Sequence, residues 1–135
     1  MSKTLTLEIT SPHGAVFSGE VSHVRAPGVN GSFGVLPGHT EFLSPLEVGL
    51  IDVTIEGKLV QFTTSGGLAE VHSDKVEILA ETAEKVESID VERAKAAAER
   101  ARKRLEAHET ELDVDRARAA LARALNRLHA TGVNF

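Results

Sequence analysis

Residues 89–105 read IDVERAKAAAERARKRL, and within them Val91, Ala94, Ala98, Ala101 and Leu105 recur at alternating spacings of three and four. That is the period of an amphipathic helix. Its apolar face is mostly alanine. Downstream, Val114, Ala117, Leu121, Ala124 and Leu128 repeat the pattern. The polar stretch HETELD between the two sets is short enough to predict an antiparallel helical hairpin, with Gly132 as its C-terminal stop. Setting Ile89–His108 against Leu112–Thr131 gives identity at 11 of 20 positions, including Asp90/Asp113, Arg93/Arg116, Arg100/Arg123 and Arg104/Arg127. Two accounts of this internal repeat stand side by side. One is a duplication; the other is a shared recipe of Asp as N-cap, an acid in the first turn and alanine on the seam.

An alanine in place of leucine forgoes about 2 kcal/mol at each fully buried position. Alanine and arginine are at the same time strong helix formers, so each helix tolerates separation better than most sequences would. The composition is that of an arm that can leave its resting place.

Upstream the period is two. Leu5, Leu7 and Ile9 alternate with Thr4, Thr6, Glu8 and Thr10, as in a half-buried strand. Ile51, Val53 and Ile55 alternate again, Gly57-Lys58 reads as a two-residue turn, and Leu59–Thr63 runs back. A second hairpin joins GGLAEV to KVEILA through Ser73-Asp74, and Gly/Pro clusters at 12–14, 27–34 and 37–38 separate further short strands. With no helical stretch before about residue 85, the expected fold is an all-β sandwich of about ten short strands over residues 1–87, followed by a two-helix hairpin over 88–135.

The charge divides at the same place. Residues 1–87 hold five Lys/Arg against twelve Asp/Glu, whereas residues 88–135 hold ten against eight, and no acid follows Asp115. An acidic body with a basic tail points to an anionic partner. With no Trp or Tyr and five Phe, a base-stacking platform is hard to assemble, so nucleic acid is not the expected one. There is no cysteine, hence no disulfide or thiolate chemistry. No stretch reads as a signal peptide or approaches the roughly 20 apolar residues of a membrane span, so the expected membrane association is indirect.

Catalytic motifs are missing. GVNGSFGVLPGHT, residues 28–40, lacks the Gly-Lys-Ser/Thr ending of a phosphate loop and has no helix after it, so it reads as a structural loop. The six histidines show no metal-ligand spacing, and Ser65-Gly66-Gly67 is no nucleophile elbow. The arginines carry more signal. Arg93, Arg100 and Arg104 fall at i, i+7 and i+11 on one stripe, and Arg116, Arg123 and Arg127 repeat it. Such stripes can grip phosphates or carboxylates, or they can be solvated faces balanced by Glu99, Glu106 and their neighbours. The second helix has almost no internal acid, which favours a partner for its stripe.

Taken together, VFSGEV at 16–21, GSFGVLPGHT at 31–40, SGGLAEV at 65–71, VEILAETAE at 76–84 and IDVERA at 89–94 resemble the epsilon-subunit family of the bacterial and chloroplast F-type ATP synthase, called delta in mitochondria. The resemblance implies a non-catalytic central-stalk subunit of the machine that couples ion transport to ATP synthesis. Its implied partners are the gamma subunit, the c subunits of the membrane rotor ring and, through the hairpin, the alpha/beta catalytic head. It implies a peripheral location on the cytoplasmic side of the membrane, or the stromal side of the thylakoid in a plastid. In many bacterial members the hairpin extends along gamma and brakes ATP hydrolysis, an acidic segment of beta meeting the second helix, which carries Arg116, Arg123 and Arg127 over as contacts. The loop with Gly38 and His39 resembles the rotor-ring edge, where Ser32 stands in place of an acid found in some members. No cofactor is required, but some members bind ATP as a regulatory ligand through an I/L-D-x-x-R-A motif. Ile89, Asp90, Arg93 and Ala94 match it, with Arg123, Arg127 and Glu84 as further candidates, although Leu112–Ala117 satisfies the same pattern. The alternative expectation is a purely structural coupling subunit that neither inhibits nor senses ATP.

Overall fold

The computed structural model describes residues 4–38, 41–107 and 110–133, and its backbone divides into two compact units, Met1–Lys85 and Val86–Phe135. The first is built from ten strands: β1 (Leu5–Ser11), β2 (Gly14–Val21), β3 (His23–Gly28), β4 (Gly31–Val35), β5 (Phe42–Leu46), β6 (Gly49–Ile55), β7 (Lys58–Thr64), β8 (Gly67–His72), β9 (Lys75–Ala80) and β10 (Ala83–Lys85). They form one sheet in the order β10-β7-β6-β3-β5-β8-β9-β1-β2, with β4 paired to β3. All pairings are antiparallel except β1 with β9.

The sheet curls until its ends meet face to face. Phe17 on β2 packs edge-on against Phe62 on β7, ring centres 5.8 Å apart. At the corner after β2, the Ser22 N–H and hydroxyl both donate to the Thr54 carbonyl, at 2.9 and 3.0 Å. The result is the expected sandwich, flattened from a near-closed barrel. Its core is aliphatic: the inward residues of the alternating strands, Leu5, Leu7 and Ile9 on β1 and Ile51 and Val53 on β6, are buried with Val24, Val35, Val71, Val76 and Ile78.

Two turn assignments change. The β6–β7 hairpin turns on Glu56-Gly57, both in the left-handed region (φ 49° and 79°), while Lys58 is already paired with Ile55. Two consecutive positive φ values define the turn whose twist matches that of the strands, so the glycine sits second rather than first. The glycine-rich stretch at 27–34 is no mere separator. Gly28 pairs with Gly31 around Val29-Asn30, so this stretch is itself the β3–β4 hairpin. Strand-depleting glycines are accepted here because the chains crowd: a side chain at Gly28 would press on the Gly31 carbonyl and the Phe33 ring. The Ser73-Asp74 turn joins β8 to β9 as expected, with His72 paired to Lys75.

The second unit begins with a short 3-10 turn, Val86–Ser88, followed by α1 (Val91–Ala107) and α2 (Glu111–Ala130). Ala94, Ala98, Ala124 and Leu128 form its buried seam, flanked by Val91, Ala97, Leu121 and Val133, and Ala101 and Ala117 are buried as well. Facing alanines let the helix backbones approach closely, which leaves the seam shallow.

The sandwich is sensitive at Gly67. Its φ is +143°, and a Cβ there would collide with the Leu79 carbonyl on the paired strand. Gly67→Ala is expected to lower unfolding free energy by about 2 kcal/mol. Urea denaturation followed by circular dichroism checks this, and an unchanged midpoint would contradict it.

Candidate functional site

The two ends of the hairpin gather different residues. At one end, Asp90 caps α1: its Oδ1 accepts from the Arg93 N–H at 3.1 Å, and its carbonyl accepts from the Ala94 N–H at 3.0 Å. Because α1 and α2 run antiparallel through the Ala94–Ala98–Ala124–Leu128 seam, this end also holds the last turn of α2 with Arg127. Arg93 and Arg123 are exposed, Arg127 and Ile89 are half-buried, and Ala94 is fully within the seam. Ala94 therefore acts by allowing close approach, not by offering a contact. Glu84 lies on β10 in the sandwich, half-buried and paired with Thr63 on β7.

The C-terminus of α2 is tightly closed. Gly132 (φ 83°) follows the last turn, Val133 N–H donates to the Leu128 carbonyl and Gly132 N–H to that of His129, each at 3.0 Å, and Val133 packs back on the seam. This is a glycine-terminated cap that leaves the preceding carbonyls satisfied.

At the other end the repeat breaks. Asp113, the counterpart of Asp90, does not cap its helix; Thr110 does, its Oγ1 accepting from the Asp113 N–H at 3.0 Å. The competing hydroxyl three residues upstream starts α2 a turn earlier than the repeat implied, so the linker shrinks from HETELD to residues 108–110. Asp113 is thereby freed from capping. It lines an open pocket of about 350 Å³ with Arg104, Ala107 and Arg116. The sequence placed these arginines on separate helical stripes; only the packing of α1 against α2 unites them.

The balancing acids are not where the stripe needs them. Glu99 pairs with Arg102 at 3.4 Å and Glu92 with Lys95 at 3.7 Å, both off the stripe. Among the described residues, no ion pair engages Arg93, Arg100, Arg104, Arg116 or Arg123. The stripes are cationic on both helices.

On the sandwich, Ser32 and Gly38 are not brought together. Ser32 is exposed beside the β3–β4 turn, near which the Val29 N–H donates to the Pro45 carbonyl at one end of β5. Gly38 (φ 78°) is pinned beyond the other end, its N–H shared between the Ser73 carbonyl at 2.9 Å and Asp74 Oδ1 at 3.1 Å. His39, the third residue assigned to that edge, lies outside the described residues. Around Gly38 the surface is acidic, formed with Thr4, Thr6, Glu20 and Asp74. Hydroxyls of Thr4 and Thr6 donate to the two Glu20 oxygens at 2.7 and 2.8 Å and hold its carboxyl below the usual carboxylate range. A lowered carboxyl contributes stability above its unfolded value and loses it as pH falls through the folded one. Among the described residues, no group of His, Asp and Glu is arranged to hold a metal, and no helix is long and apolar enough to cross a membrane.

A ten-stranded sandwich followed by an alanine-seamed helical hairpin defines a class of small two-part subunits, and comparison with known proteins narrows it. Residues 4–86 match the family model for the ATP synthase delta/epsilon chain beta-sandwich domain, and residues 87–132 match that for its long alpha-helix domain. The ATP synthase epsilon chain of Desulfitobacterium hafniense (strain Y51) is 48% identical over 109 residues, covering 81% of this chain and 83% of that one. That of Brevibacillus brevis is 50% identical over 113 residues, covering 83% and 85%. A chain in the Euglena gracilis mitochondrial ATP synthase structure (OSCP/F1/c-ring) superposes with TM-score 0.82 at 28% identity, over 94% of this chain and 81% of that one. A chain of the Tetrahymena thermophila central stalk/c-ring structure shares the fold, with TM-score 0.62 at 15% identity over 96% and 98%. The chain belongs to the ATP synthase delta/epsilon family, as an epsilon-type subunit of that enzyme complex.

Removing the α1 cap by Asp90→Ala should cost about 1 kcal/mol of hairpin stability. The expected signature is faster exchange of the Arg93 and Ala94 amides with the sandwich amides unchanged; equal protection in both proteins would show that the cap contributes nothing.

Proposed function

We propose that this subunit sits in the central stalk, coupling the gamma subunit to the membrane rotor ring, and that its hairpin is a movable arm that brakes ATP hydrolysis. The observation that carries the second part is the pairing of a shallow alanine seam with cationic stripes on which, among the described residues, Arg93, Arg100, Arg104, Arg116 and Arg123 are engaged by no ion pair. Opening such a seam exposes little apolar surface per residue, so an external partner needs to supply only modest free energy to separate α1 from α2. The stripe then selects that partner. Arg116 and Arg123 face solvent on a helix with no acid after Asp115, suited to bidentate contact with carboxylates of the catalytic head. The membrane-complex location follows from the stalk role, with the sandwich as the fixed part.

ATP is the proposed regulatory ligand of the closed hairpin. Asp90, Arg93, Arg123 and Arg127 lie at or near one end of the antiparallel pair, and a nucleotide bridging α1 and α2 there would bind only while the seam is closed. Ile89 of the motif and Glu84 are further candidates. A polyphosphate held by guanidinium groups would therefore oppose extension.

Ending the chain after Ser88 should raise ATP hydrolysis by the assembled enzyme several-fold while the complex still assembles; unchanged turnover would leave a coupling role alone. Calorimetric titration of the intact subunit should show ATP binding that weakens roughly tenfold or more in Arg123→Gln/Arg127→Gln. No heat up to millimolar ATP would remove the nucleotide reading without touching the brake.

A further inference from the structure

We infer that the turn end of the hairpin carries a second phosphate-binding site, formed by Arg104 from α1 and Arg116 from α2 with Asp113 beside them. Three observations meet there. The pocket is real space, about 350 Å³, within the range that admits a nucleotide-sized ligand, and the described residues around it are Arg104, Ala107, Asp113 and Arg116. Neither arginine is committed elsewhere: no ion pair or hydrogen bond engages Arg104 or Arg116 among the described residues. Two like charges share one open pocket, and a phosphate with its several acceptor oxygens is the group that relieves that arrangement through charge-assisted bonds to both.

The third observation is symmetry. Under the 23-residue repeat, Asp113, Arg116, Arg104 and Ala107 correspond to Asp90, Arg93, Arg127 and Ala130. Two similar helices packed antiparallel are related by an approximate two-fold axis across the seam, so whatever one end offers, the other end offers again. The clusters differ in one respect. Asp90 spends its carboxylate on the Arg93 amide, whereas the Asp113 carboxylate is released from capping by Thr110 and faces the pocket. A bare phosphate meets that carboxylate as a like charge. A ligand that carries a phosphate for the arginines and an N–H or O–H donor for Asp113 does not, and nucleotides combine the two. The phosphate is the shared chemistry; a free polyphosphate and a nucleotide are its two sources.

Residues from both helices contribute, so occupancy would tie the start of α2 to the end of α1 and resist straightening of the hairpin at its bend. The symmetry step rests on the ATP reading of the other end; the pocket and its uncommitted arginines do not.

The test is an NMR titration of the full-length isotope-labelled chain at constant ionic strength, following the arginine side-chain N–H and backbone amide signals, with ATP and with pyrophosphate. Saturable shifts at Arg104, Arg116 and Asp113 are expected that persist in Arg123→Gln/Arg127→Gln and weaken by about tenfold or more in Arg104→Gln/Arg116→Gln. Both variants alter exposed or half-buried side chains, and circular dichroism verifies that their helix content is retained. Saturation by both ligands identifies the phosphate as sufficient, and saturation by ATP alone identifies the nucleotide; either upholds the site. A response at Arg104 and Arg116 with none at Arg93, Arg123 and Arg127 would keep this site and remove the ATP reading of the other end. Linear drift matching that with sodium sulfate, loss of the shifts in Arg123→Gln/Arg127→Gln, or saturation only by polyglutamate would each overturn the proposal.

Discussion

The close contact of alanine faces between α1 and α2 is the constraint on which the functional surfaces depend. Because Ala94 and Ala98 meet Ala124 and Leu128, the helices lie antiparallel in one register, and that register decides which arginine stands opposite which. Larger seam residues would hold the pair more firmly and set it further apart. Smallness thus gives two properties at once: a narrow hairpin that brings groups on both helices near one another, and a seam that buries little apolar surface per residue.

The sandwich supplies the opposite property. Its sheet closes on a core of Leu, Ile, Val and Phe62, its turns are fixed by positive-φ residues at Glu56, Gly57 and Gly67, and its ends are clasped by the Phe17–Phe62 contact. In this chain two separate compact units differ in packing chemistry, aliphatic and interleaved in one, small and shallow in the other. The acidic surface around Gly38 and the cationic hairpin divide the charge along the same line.

Several features of the hairpin show how capping competition shapes a site. Two near-identical Asp-Val-x-Arg-Ala stretches start two helices in different ways, because Thr110 is available upstream of Asp113 and takes the cap. The displaced residue, still in the first turn of α2, lines a pocket instead of capping the helix. A side chain's role follows from what its neighbours leave for it to do.

Much was legible in sequence: the change from period two to period 3.6 near residue 88, the alanine seam, the stop at Gly132, the Ser73-Asp74 turn and the arginine stripes all follow from local patterning, since a helix face or strand face is determined by spacing alone. The motifs resembling the epsilon family supplied the candidate residues, and local geometry placed Asp90 as a cap. Other features needed the folded chain. That Glu56 joins Gly57 in the β6–β7 turn, that residues 27–34 pair as strands, that Glu99 serves Arg102 instead of the stripe, and that Ser32 and Gly38 lie toward opposite ends of β5 depend on register and on which neighbour reaches a group first. Above all, the meeting of Arg104 with Arg116 is invisible in one dimension: it arises because α1 and α2 pack antiparallel along the alanine seam, and only tertiary contact converts two stripes into one pocket.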